Sequence, residues 1–465
     1  MTLNDLKKIS FENINFRNKK VTVMGLGIVG GGVGTVKFLT RIGAKVLVTD
    51  LKTKKDLESS LKKIKRLPVK LILGRHRAKD FIDTDLIIKN PAVPDNSPYL
   101  KIAKKNGVPV ETDVGIFFEL CSAPIIGVTG TKGKSTVVTL IYHFLKSKYP
   151  NVILAGNIGT SPLGSLKKIN KNSKVVLELS SWQLEGLKSH KKNPQVALIT
   201  NIYPDHLNRY KNLKEYINSK KIIFLFQKPK DILFLNYDDK ILRKFSKLAK
   251  SKFYFFSRKK IPKDLKMIIK NLKLAGEHNI SNILAAFSVA KLYKVPSKSI
   301  KKILKKFRGL PWRQEFIREI KDVKYFNDTT ATMPEATTAA IKTFSQKFPK
   351  SKIILIAGGE DKKLNYKNLT KEILKKVKHL ILFSGTASDK IKKELLAEKS
   401  SSQTRPLLTI TANINLMEKA VEKASELARR GDIVLLSPAT ASFNLFKNEF
   451  DRGEQFNKAL RKLKT

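Results

Sequence analysis

The sequence predicts an α/β protein with three domains, and three observations support this fold class. The chain has 465 residues, which is more than a single hydrophobic core normally organises. Short apolar runs alternate with longer amphipathic segments along the chain, a pattern typical of stacked β-α-β units. Two glycine-rich turns, Gly25–Gly30 and Gly130–Gly133, each follow an apolar run. We therefore expect a Rossmann-like N-terminal domain, a central P-loop domain and a Rossmann-like C-terminal domain.

Three groups of apolar runs set the expected domain bounds. A first boundary is expected close to residue 112, and the helical pattern stops again near Gly309–Pro311. The predicted domains are therefore residues 1–112, 113–310 and 311–465. The predicted strands are 21–24, 46–50, 69–73 and 86–88 in the first domain, 125–129, 152–154, 175–179 and 196–200 in the second, and 353–357, 380–383 and 433–436 in the third.

The composition excludes several classes of protein. Hydrophobic residues make up 42% of the chain, as in ordinary globular proteins, so disorder is not expected. No apolar run approaches the roughly 18–20 residues that span a membrane, and the start lacks the apolar core of a signal peptide. Cys121 is the only cysteine, which excludes a disulfide framework or a cysteine zinc cluster within the chain. We expect a cytoplasmic monomer.

The charge of the chain is strongly positive. Lys and Arg total 92 against 39 Asp and Glu, giving a formal net charge of +53. Clustered cations favour nucleic-acid binding, whereas a lysine-rich surface can also reflect compositional bias. The lysines are spread along the whole length and are not gathered into one basic arm with interleaved aromatic residues. We therefore expect no specific nucleic-acid partner, and salt-sensitive attraction to anionic substrates.

The second glycine turn predicts a nucleotide site. Its glycines let backbone N–H groups face an anion, and the following helix N-terminus adds partial positive charge. Lys134 can reach the β- and γ-phosphates, while the Ser135 hydroxyl can hold Mg²⁺. The strict Walker pattern fails because its first glycine would fall on Val128, but the strand-loop-helix context favours ATP or GTP over a simple helix cap. The predicted contacts are Gly130, Thr131, Lys132, Gly133, Lys134, Ser135, Thr136 and Val137.

The first glycine turn predicts a diphosphate site. Gly25–Gly30 follows a strand, and Asp50 ends the next strand at about the spacing of a ribose-binding acid. This pattern fits a nicotinamide-dependent oxidoreductase, but the turn can hold any diphosphate through backbone N–H groups. A purely structural role, in which the glycines permit close strand-helix packing, also stays open. Further glycines are unexpected because they weaken the first helical turn; they are Gly31, Gly32 and Gly34.

Polar residues end two strands near the predicted phosphate loop. Glu178 ends one apolar strand, and Asp205 and His206 follow another. A lone buried glutamate is costly unless it is paired or bound to a cation. Ligands of open α/β sheets lie at the carboxyl ends of the strands. Glu178, Ser135 and His206 therefore form a candidate oxygen and nitrogen shell for Mg²⁺.

Taken together, these motifs resemble the Mur ligase family. The matching segments are Gly130–Thr136, Glu178–Leu184, Asn201–His206, Gly276–Asn282, Gly309–Arg313 and Leu436–Gly453. They cover nearly the whole chain in order, and they most resemble the branch that adds D-glutamate, the MurD type. The resemblance implies an ATP-dependent amide-bond ligase of peptidoglycan synthesis. It would join D-glutamate to UDP-N-acetylmuramoyl-L-alanine through an acyl phosphate.

The resemblance also implies roles for individual residues. It implies a UDP-binding first domain, an ATP-binding second domain and a third domain that closes over the site. The implied contacts of the UDP substrate are Gly25, Gly27, Ile28, Val29, Gly30, Asp50, Asn90 and Pro91, with Asn157, Ser180 and Gln183 towards its muramoyl-alanine end. The implied contacts of ATP beyond the loop are Asn282, Arg313 and Asp328, and those of the incoming glutamate are Thr332, Lys362 and Ser442.

A catalytic set follows from the same resemblance. It consists of Lys134, Glu178, His206 and Lys220, and the metal ligands would be Ser135, Glu178, His206 and Lys220. A carbamylated lysine bridges metals in the family, and the spacing from Tyr216 selects Lys220, although Lys221 adjoins it.

One departure from the family pattern bears on the second substrate. Thr330 stands where a lysine is usual, which removes a cation from the junction of nucleotide and substrate. Either Lys362 or Lys363 compensates, or the amino-acid site differs in detail. The alternatives left open are a sibling Mur ligase, a folylpolyglutamate-type ligase with a different amino acid, and a nicotinamide-dependent oxidoreductase.

Overall fold

The computed structural model contains three β-sheets flanked by helices, which confirms the predicted α/β class. The first two sheets lie in one compact unit and the third lies in another. The units comprise residues up to 202 with 217–261 and 281–300, and residues 203–216, 262–280 and 301 onwards. The structure describes residues 16–28, 30–206, 209–270, 276–400, 408–442 and 445–463. Within these ranges no helix is long and apolar enough to cross a membrane.

The first sheet has five parallel strands. They are β1 (Lys20–Met24), β2 (Lys45–Asp50), β3 (Val69–Leu73), β4 (Leu86–Lys89) and β5 (Val110–Thr112). The accompanying helices are α1 (Gly31–Arg41), α2 (Glu58–Lys62), α3 (Pro98–Lys105) and α4 (Asp113–Leu120). The strand order is β3-β2-β1-β4-β5. The first glycine turn therefore follows the central strand, where the order reverses and where ligands bind in such sheets.

The second sheet has six parallel strands. They are β6 (Ile125–Thr129), β7 (Val152–Gly156), β8 (Lys174–Glu178), β9 (Val196–Ile199), β10 (Ile232–Asn236) and β11 (Lys252–Phe256). The helices of this part of the chain are α5 (Lys134–Lys146), α6 (Pro162–Ser165), α7 (Ser181–Glu185), α8 (Leu213–Leu225), α9 (Lys240–Phe245), α10 (Lys263–Lys270), α11 (Glu277–Leu292) and α12 (Ser297–Lys306). The order β11-β10-β9-β6-β8-β7 places β6 between β8 and β9.

The third sheet has six strands and is mixed. They are β12 (Glu315–Ile320), β13 (Val323–Asn327), β14 (Ile353–Gly358), β15 (Val377–Phe383), β16 (Thr409–Ile414) and β17 (Ile433–Leu436), and the helices are α13 (Pro334–Lys347), α14 (Lys367–Lys376), α15 (Thr386–Ser400), α16 (Met417–Leu427) and α17 (Glu449–Lys462). The order is β12-β13-β17-β14-β15-β16, and among the strand pairs of the described residues only β12–β13 is antiparallel. Ile353 and Leu355 pack on one face of β14, whereas Ile354 and Ile356 pack on the other.

Every predicted strand is present, with ends that differ by at most three residues. Six strands were not predicted: β5, β10, β11, β12, β13 and β16. Four of the six, β5, β11, β12 and β16, are edge strands whose residues are partly exposed, whereas β10 and β13 lie next to an edge and are mostly buried. The exact domain bounds stay a prediction.

The unexpected glycines of α1 have a packing reason. A Cβ on Gly32 would lie 2.3 Å from the carbonyl oxygen of Leu26. A Cβ on Gly34 would lie 2.1 Å from the Cβ of Ser161, the residue that caps α6. A Cβ on Gly30 would lie 3.3 Å from the carbonyl oxygen of Gly159. These glycines therefore let α1 pack directly on α6 and join the first two sheets.

A buried histidine forms a second joint between these two sheets. His190 Nε2 lies 2.8 Å from a carboxylate oxygen of Glu111, and its Nδ1 lies 3.0 Å from one of Glu119. Lys192 Nζ donates to the other oxygen of Glu119 at 2.5 Å. A Cβ on Gly115 would lie 2.5 Å from His190 Nε2. Burial alone lowers the pKa of His190, but the two carboxylates outweigh it and raise the pKa above its ordinary value.

We expect His190→Gln to destabilise the protein more at low pH than at high pH. Because the folded pKa is raised, the stabilisation is complete below about 6.5, the unfolded value, and is lost as pH rises through the folded pKa. Urea unfolding of both proteins near pH 6 and near pH 9 measures the difference. Burial raises the pKa of Asp113 to about 6. Asp113 is present in both proteins, so its contribution to the free energy of unfolding cancels in the comparison. A difference independent of pH would contradict the prediction.

Candidate active site

The phosphate loop needs glycine at both of its ends. Gly130 and Gly133 have φ angles of 142° and 85°, which side chains rarely adopt. A Cβ on Gly130 would lie 1.9 Å from Thr200 Oγ1, and a Cβ on Gly133 would lie 2.2 Å from Asn282 Oδ1. Gly133 immediately precedes Lys134, the first residue of α5. The strand-loop-helix unit is therefore present as predicted, with Asn282 beside the loop.

The residues that follow β9 fasten this loop. The N–H groups of Thr131 and Lys132 donate to the backbone and side-chain oxygens of Asn201, each at 2.9 Å. The side chains of Thr200 and Asn201 donate to the carbonyl oxygen of Lys132 at 2.6 and 3.0 Å. The loop therefore has its shape before any phosphate binds. Thr200 was not singled out from the sequence, although it directly precedes the motif that begins at Asn201.

The loop lysine lies over the loop itself. Lys134 Nζ donates to the carbonyl oxygens of Gly130 and Thr131, both at 2.9 Å. This places its positive charge beside the backbone turn that was predicted to hold phosphate. Ser135 follows in the first turn of α5, and the helix continues through the buried residues Thr136 and Val137.

Glu178 is a buried carboxylate at the neighbouring strand end. It ends β8, pairs with Val128 of β6 and is 2% exposed. Its Oε1 accepts a hydrogen bond from Asn157 Nδ2 at 3.1 Å. Its Oε2 is buried and has no hydrogen-bond partner among the described residues. Because such an oxygen is costly to bury alone, a bound cation would suit it.

Lys220 approaches the same strand ends from α8. It is 2% exposed, and its Nζ lies 3.5 Å from Thr129 Oγ1. Thr129 Oγ1 itself donates to the carbonyl oxygen of Leu179 at 2.7 Å. The neighbouring Lys221 instead lies over the ring of Phe245, 5.5 Å from its centroid. The geometry thus favours Lys220 over Lys221 and brings it to the same end of the sheet as Glu178 and Lys134.

The metal prediction depends on oxygen atoms rather than on a cluster of typical ligands. Among the described residues no group of three or more His, Cys, Asp or Glu side chains could hold a metal ion. The predicted set contains only two such residues, Glu178 and His206, with the hydroxyl of Ser135 and the amine of Lys220. A carboxylate and a hydroxyl are hard oxygen ligands of the kind that Mg²⁺ prefers. The unpartnered Oε2 of Glu178 is the observation that fits a cation.

Two residues assigned to the UDP substrate shape the first glycine turn. Asp50 Oδ2 accepts from the N–H of Gly27 at 3.1 Å. Asn90 Nδ2 donates to the carbonyl oxygen of Gly25 at 3.3 Å, and a Cβ on Gly25 would lie 2.9 Å from Asn90 Cβ. Both residues therefore stabilise the backbone conformation of this turn. Of the other predicted contacts, Ile28 and Gly30 lie in the first glycine turn, and Pro91 directly follows Asn90. Val29 lies outside the described residues.

Ser180 and Gln183 have a structural role that the sequence analysis did not predict. The N–H of Gln183 donates to Ser180 Oγ at 3.2 Å, and the N–H of Ser180 donates to Gln183 Oε1 at 3.0 Å. This reciprocal capping box starts α7. The two residues therefore set the backbone direction directly after Glu178, and a substrate contact would be additional.

In the second unit, Asp205 links two of the predicted residues. Its Oδ1 accepts from the N–H of His206 at 2.9 Å and lies 3.7 Å from Lys362 Nζ. His206 has a left-handed backbone with φ of 56°, and its ring centroid lies 6.2 Å from that of Tyr216. The structure therefore brings Lys362 next to the Asp-His pair, whereas the sequence analysis assigned Lys362 to the incoming glutamate and His206 to the metal.

The other predicted residues of this unit lie around the ends of β13 and β17. Asp328 Oδ2 accepts from Ser437 Oγ at 3.0 Å. Thr330 Oγ1 donates to the carbonyl oxygen of Trp312 at 3.0 Å, directly before Arg313. Thr330 therefore contacts backbone where the family's usual lysine would carry a charge. Thr332 is half-buried, and Ser442 is buried.

Arg452 of α17 was missed as a positioning residue. It is 0% exposed, and its guanidinium donates to Thr329 Oγ1 at 3.1 Å, to Thr329 O at 2.9 Å and to Thr440 O at 3.5 Å. Burial lowers its pKa to about 9, and Glu449 offsets only part of that effect. Arg452 thus ties together two loops that contain predicted ligand residues. The sequence carried a signal, since Arg452 lies in the last segment of the family resemblance.

Comparisons with known proteins agree with this geometry. Residues 19–112 match the family model described as Mur ligase MurD-like, N-terminal domain. Residues 128–290 match the Mur ligase middle domain, and residues 312–440 match the Mur ligase, glutamate ligase domain.

Full-length relatives and a solved structure extend the match. The UDP-N-acetylmuramoylalanine–D-glutamate ligase of Roseiflexus sp. (strain RS-1) is 39% identical, over 95% of this chain and 98% of its own. The protein of the same name from Borreliella afzelii (strain PKo) is 40% identical, over 98% and 99%. The crystal structure of UDP-N-acetylmuramate-alanine ligase MurC from Thermotoga maritima aligns with a TM-score of 0.64 at 20% identity, over 96% of this chain and 99% of its own, and shows the fold alone. With matched domains in all three parts and such relatives along its whole length, this chain belongs to the Mur ligase family.

Proposed function

We propose that this protein is an ATP-dependent ligase that joins D-glutamate to UDP-N-acetylmuramoyl-L-alanine in the synthesis of peptidoglycan precursors. The observation that carries the proposal is the phosphate loop, with Lys134 over it and the buried Glu178 carboxylate at the adjacent strand end. Relatives that bear the name of this activity align along nearly the whole chain at 39% and 40% identity. We also propose that the enzyme acts in the cytoplasm.

The chemistry explains why such a site needs ATP. An amine cannot displace oxygen from a carboxylate. The alanyl carboxylate oxygen first attacks the γ-phosphorus, and the bond to the β,γ-bridging oxygen breaks. ADP departs, and the alanyl carboxylate has become an acyl phosphate. The amine of D-glutamate then attacks the carbonyl carbon and loses a proton, and the tetrahedral intermediate expels inorganic phosphate. Lys134 and the N-terminal end of α5 stabilise the negative charge on the transferring phosphoryl group.

Mg²⁺ is part of the proposal. Ser135, Glu178 and Lys220 would hold it in the first unit, and His206 stays a predicted further ligand. Mg²⁺ would supply positive charge to the phosphate oxygens. The fit is supported by the unpartnered Oε2 of Glu178. Lys220 becomes a ligand only if it is carbamylated, as in the family. A buried neutral or anionic form of this side chain avoids the cost of a buried ammonium.

The amino acid that is added is the feature that distinguishes the proposed enzyme from a sibling Mur ligase. Thr330 supplies no charge, and its hydroxyl donates to Trp312. Lys362 lies beside Asp205 and is 3.7 Å from it, so it is the cation that we expect to compensate. The proposed glutamate contacts remain Thr332, Lys362 and Ser442.

Phosphate release by the purified protein tests the proposal. The reaction contains ATP, Mg²⁺ and UDP-N-acetylmuramoyl-L-alanine, with D-glutamate, L-glutamate, another amino acid or none. We expect release that depends on D-glutamate, with the amide product seen by mass spectrometry. Turnover with a different amino acid would assign the chain to a sibling ligase. Preferential binding of NAD over the UDP precursor would favour the oxidoreductase alternative.

A further inference from the structure

The edge strand of the central sheet carries an exposed aromatic cluster. In β11, Phe253, Tyr254 and Phe255 are 42%, 50% and 38% exposed, and the nearby Tyr237 is 46% exposed. The ring centroids of Phe253 and Phe255 are 5.6 Å apart, and those of Tyr237 and Phe255 are 5.3 Å apart. Single exposed apolar residues are common, but a contiguous patch indicates an interaction site. Tyr254 alternates to the opposite face of the sheet, where its ring centroid lies 5.8 Å from that of Phe234, so we name Tyr237, Phe253 and Phe255 the β11 patch.

All charged residues in the segment around the β11 patch are basic. Residues 240–260 contain no Asp or Glu, and their cations are Lys240, Arg243, Lys244, Lys247, Lys250, Lys252, Arg258, Lys259 and Lys260. The two acids directly before them are already engaged, since Asp238 pairs with Arg258 at 3.3 Å and Asp239 caps α9. The expectation that lysines are not interleaved with aromatic residues therefore does not hold here.

Four of these lysines are exposed and lie in the ten residues directly before Phe253. They are Lys244, Lys247, Lys250 and Lys252, and none of them forms an ion pair within the described residues. Their charge is therefore available to an external anion. The segment that leads into β11 thus carries unneutralised positive charge, and the guanidinium of Arg243 lies 5.2 Å from the centroid of the Tyr237 ring in the patch.

This combination suits the surface of a bilayer that contains anionic lipid. Aromatic side chains favour the interfacial layer of a membrane. Each lysine near an anionic leaflet adds attraction. A second copy of this chain is disfavoured as the occupant because every copy carries the same net charge of +53.

A single-stranded nucleic acid is the other polyanion to consider. Bases stack on open ring faces, whereas Tyr237, Phe253 and Phe255 pack against one another edge to face. Arg243 also lies over the ring of Tyr237, 5.2 Å from its centroid. Few ring faces of the patch are therefore left for stacking. We propose that the β11 patch docks this enzyme reversibly on a membrane surface that carries anionic lipid.

Vesicle sedimentation tests the docking with the full-length protein. The probes are vesicles of phosphatidylcholine alone and of phosphatidylcholine with phosphatidylglycerol. One variant combines Lys244→Gln, Lys247→Gln, Lys250→Gln and Lys252→Gln, and another combines Phe253→Thr with Phe255→Thr, since threonine also favours strands. We expect binding only to the anionic vesicles, weakened about tenfold or more in both variants because charge and apolar contact act together.

The matched control changes the same amount of charge elsewhere. It combines Lys298→Gln, Lys302→Gln, Lys305→Gln and Lys306→Gln, all exposed on α12, and it should bind vesicles nearly as well as the wild type. Ligase turnover without vesicles should be unchanged in every variant, which verifies folding. An equal loss in the α12 control, or equal binding to neutral vesicles, would overturn the proposal. So would capture of single-stranded poly(U) through Phe253 and Phe255 without any vesicle binding.

Discussion

Glu178→Gln is expected to lower kcat by a factor of about 10³ or more, since stabilisation of phosphoryl charge is a dominant catalytic contribution. Gln retains the oxygen that accepts from Asn157. It places an amide N–H₂ where Oε2 now has no hydrogen-bond partner among the described residues. A donor at that position repels a cation. Steady-state phosphate release with D-glutamate and Mg²⁺ measures the loss.

The same substitution should leave the thermal midpoint of unfolding unchanged or raise it. A buried charge without full hydrogen bonding costs stability, and active sites commonly retain such costs for function. The control is Glu394→Gln. Glu394 is the other carboxylate with a buried oxygen that lacks a hydrogen-bond partner in the described part of the chain, and it has no proposed role. Near wild-type turnover in Glu178→Gln, or an equal loss in the control, would refute the proposed role of Glu178.

Arg452→Met is expected to have the largest effect on stability, a loss of about 2–4 kcal/mol in the free energy of unfolding. Methionine keeps the apolar volume but donates nothing, so the carbonyl oxygens of Thr329 and Thr440 lose their buried donor. Each buried group left unsatisfied costs about 1–3 kcal/mol. Turnover should fall as well, because Thr329 lies between Asp328 and Thr330.

Denaturant unfolding followed by circular dichroism measures this effect. The matched control is Arg461→Met, on the same helix, whose side chain is 63% exposed and pairs with Glu454 at 3.2 Å. Exposed pairs contribute little, so the control should unfold at nearly the same denaturant concentration as the wild type. Equal midpoints for the two variants would show that the buried guanidinium does not hold the two loops.

The sequence predicts the central strands and the phosphate loop because both follow from local patterns. A continuous apolar run marks a strand buried on both faces, and glycines before Lys134 mark the turn. Glu178 could be identified because an acid inside such a run is costly to bury. Edge strands such as β12 and β16 lack that signal, since polar residues interrupt their apolar ones.

Contacts between residues distant in the chain could not be predicted in this way. The need for Gly34 depends on Ser161, and the role of Arg452 depends on the carbonyl oxygens of Thr329 and Thr440. The resemblance named Asp50 and Asn90 as ligand contacts, but it did not reveal that both hold the first glycine turn. Such roles become visible only when the partners are placed in space.

The close packing of α1 on α6 fixes the distance between two proposed substrate-binding positions in the first unit. Gly30, at the end of the first glycine turn, lies close to the carbonyl oxygen of Gly159. Gly159 is two residues beyond Asn157 in the chain. Gly34 locks the same helix onto Ser161 with no space for even one methyl group. The interval between the turn proposed for the diphosphate and the asparagine proposed for the peptide end is thus set by rigid contact. A precursor with a shorter or longer sugar-peptide arm could then engage only one of its two anchors.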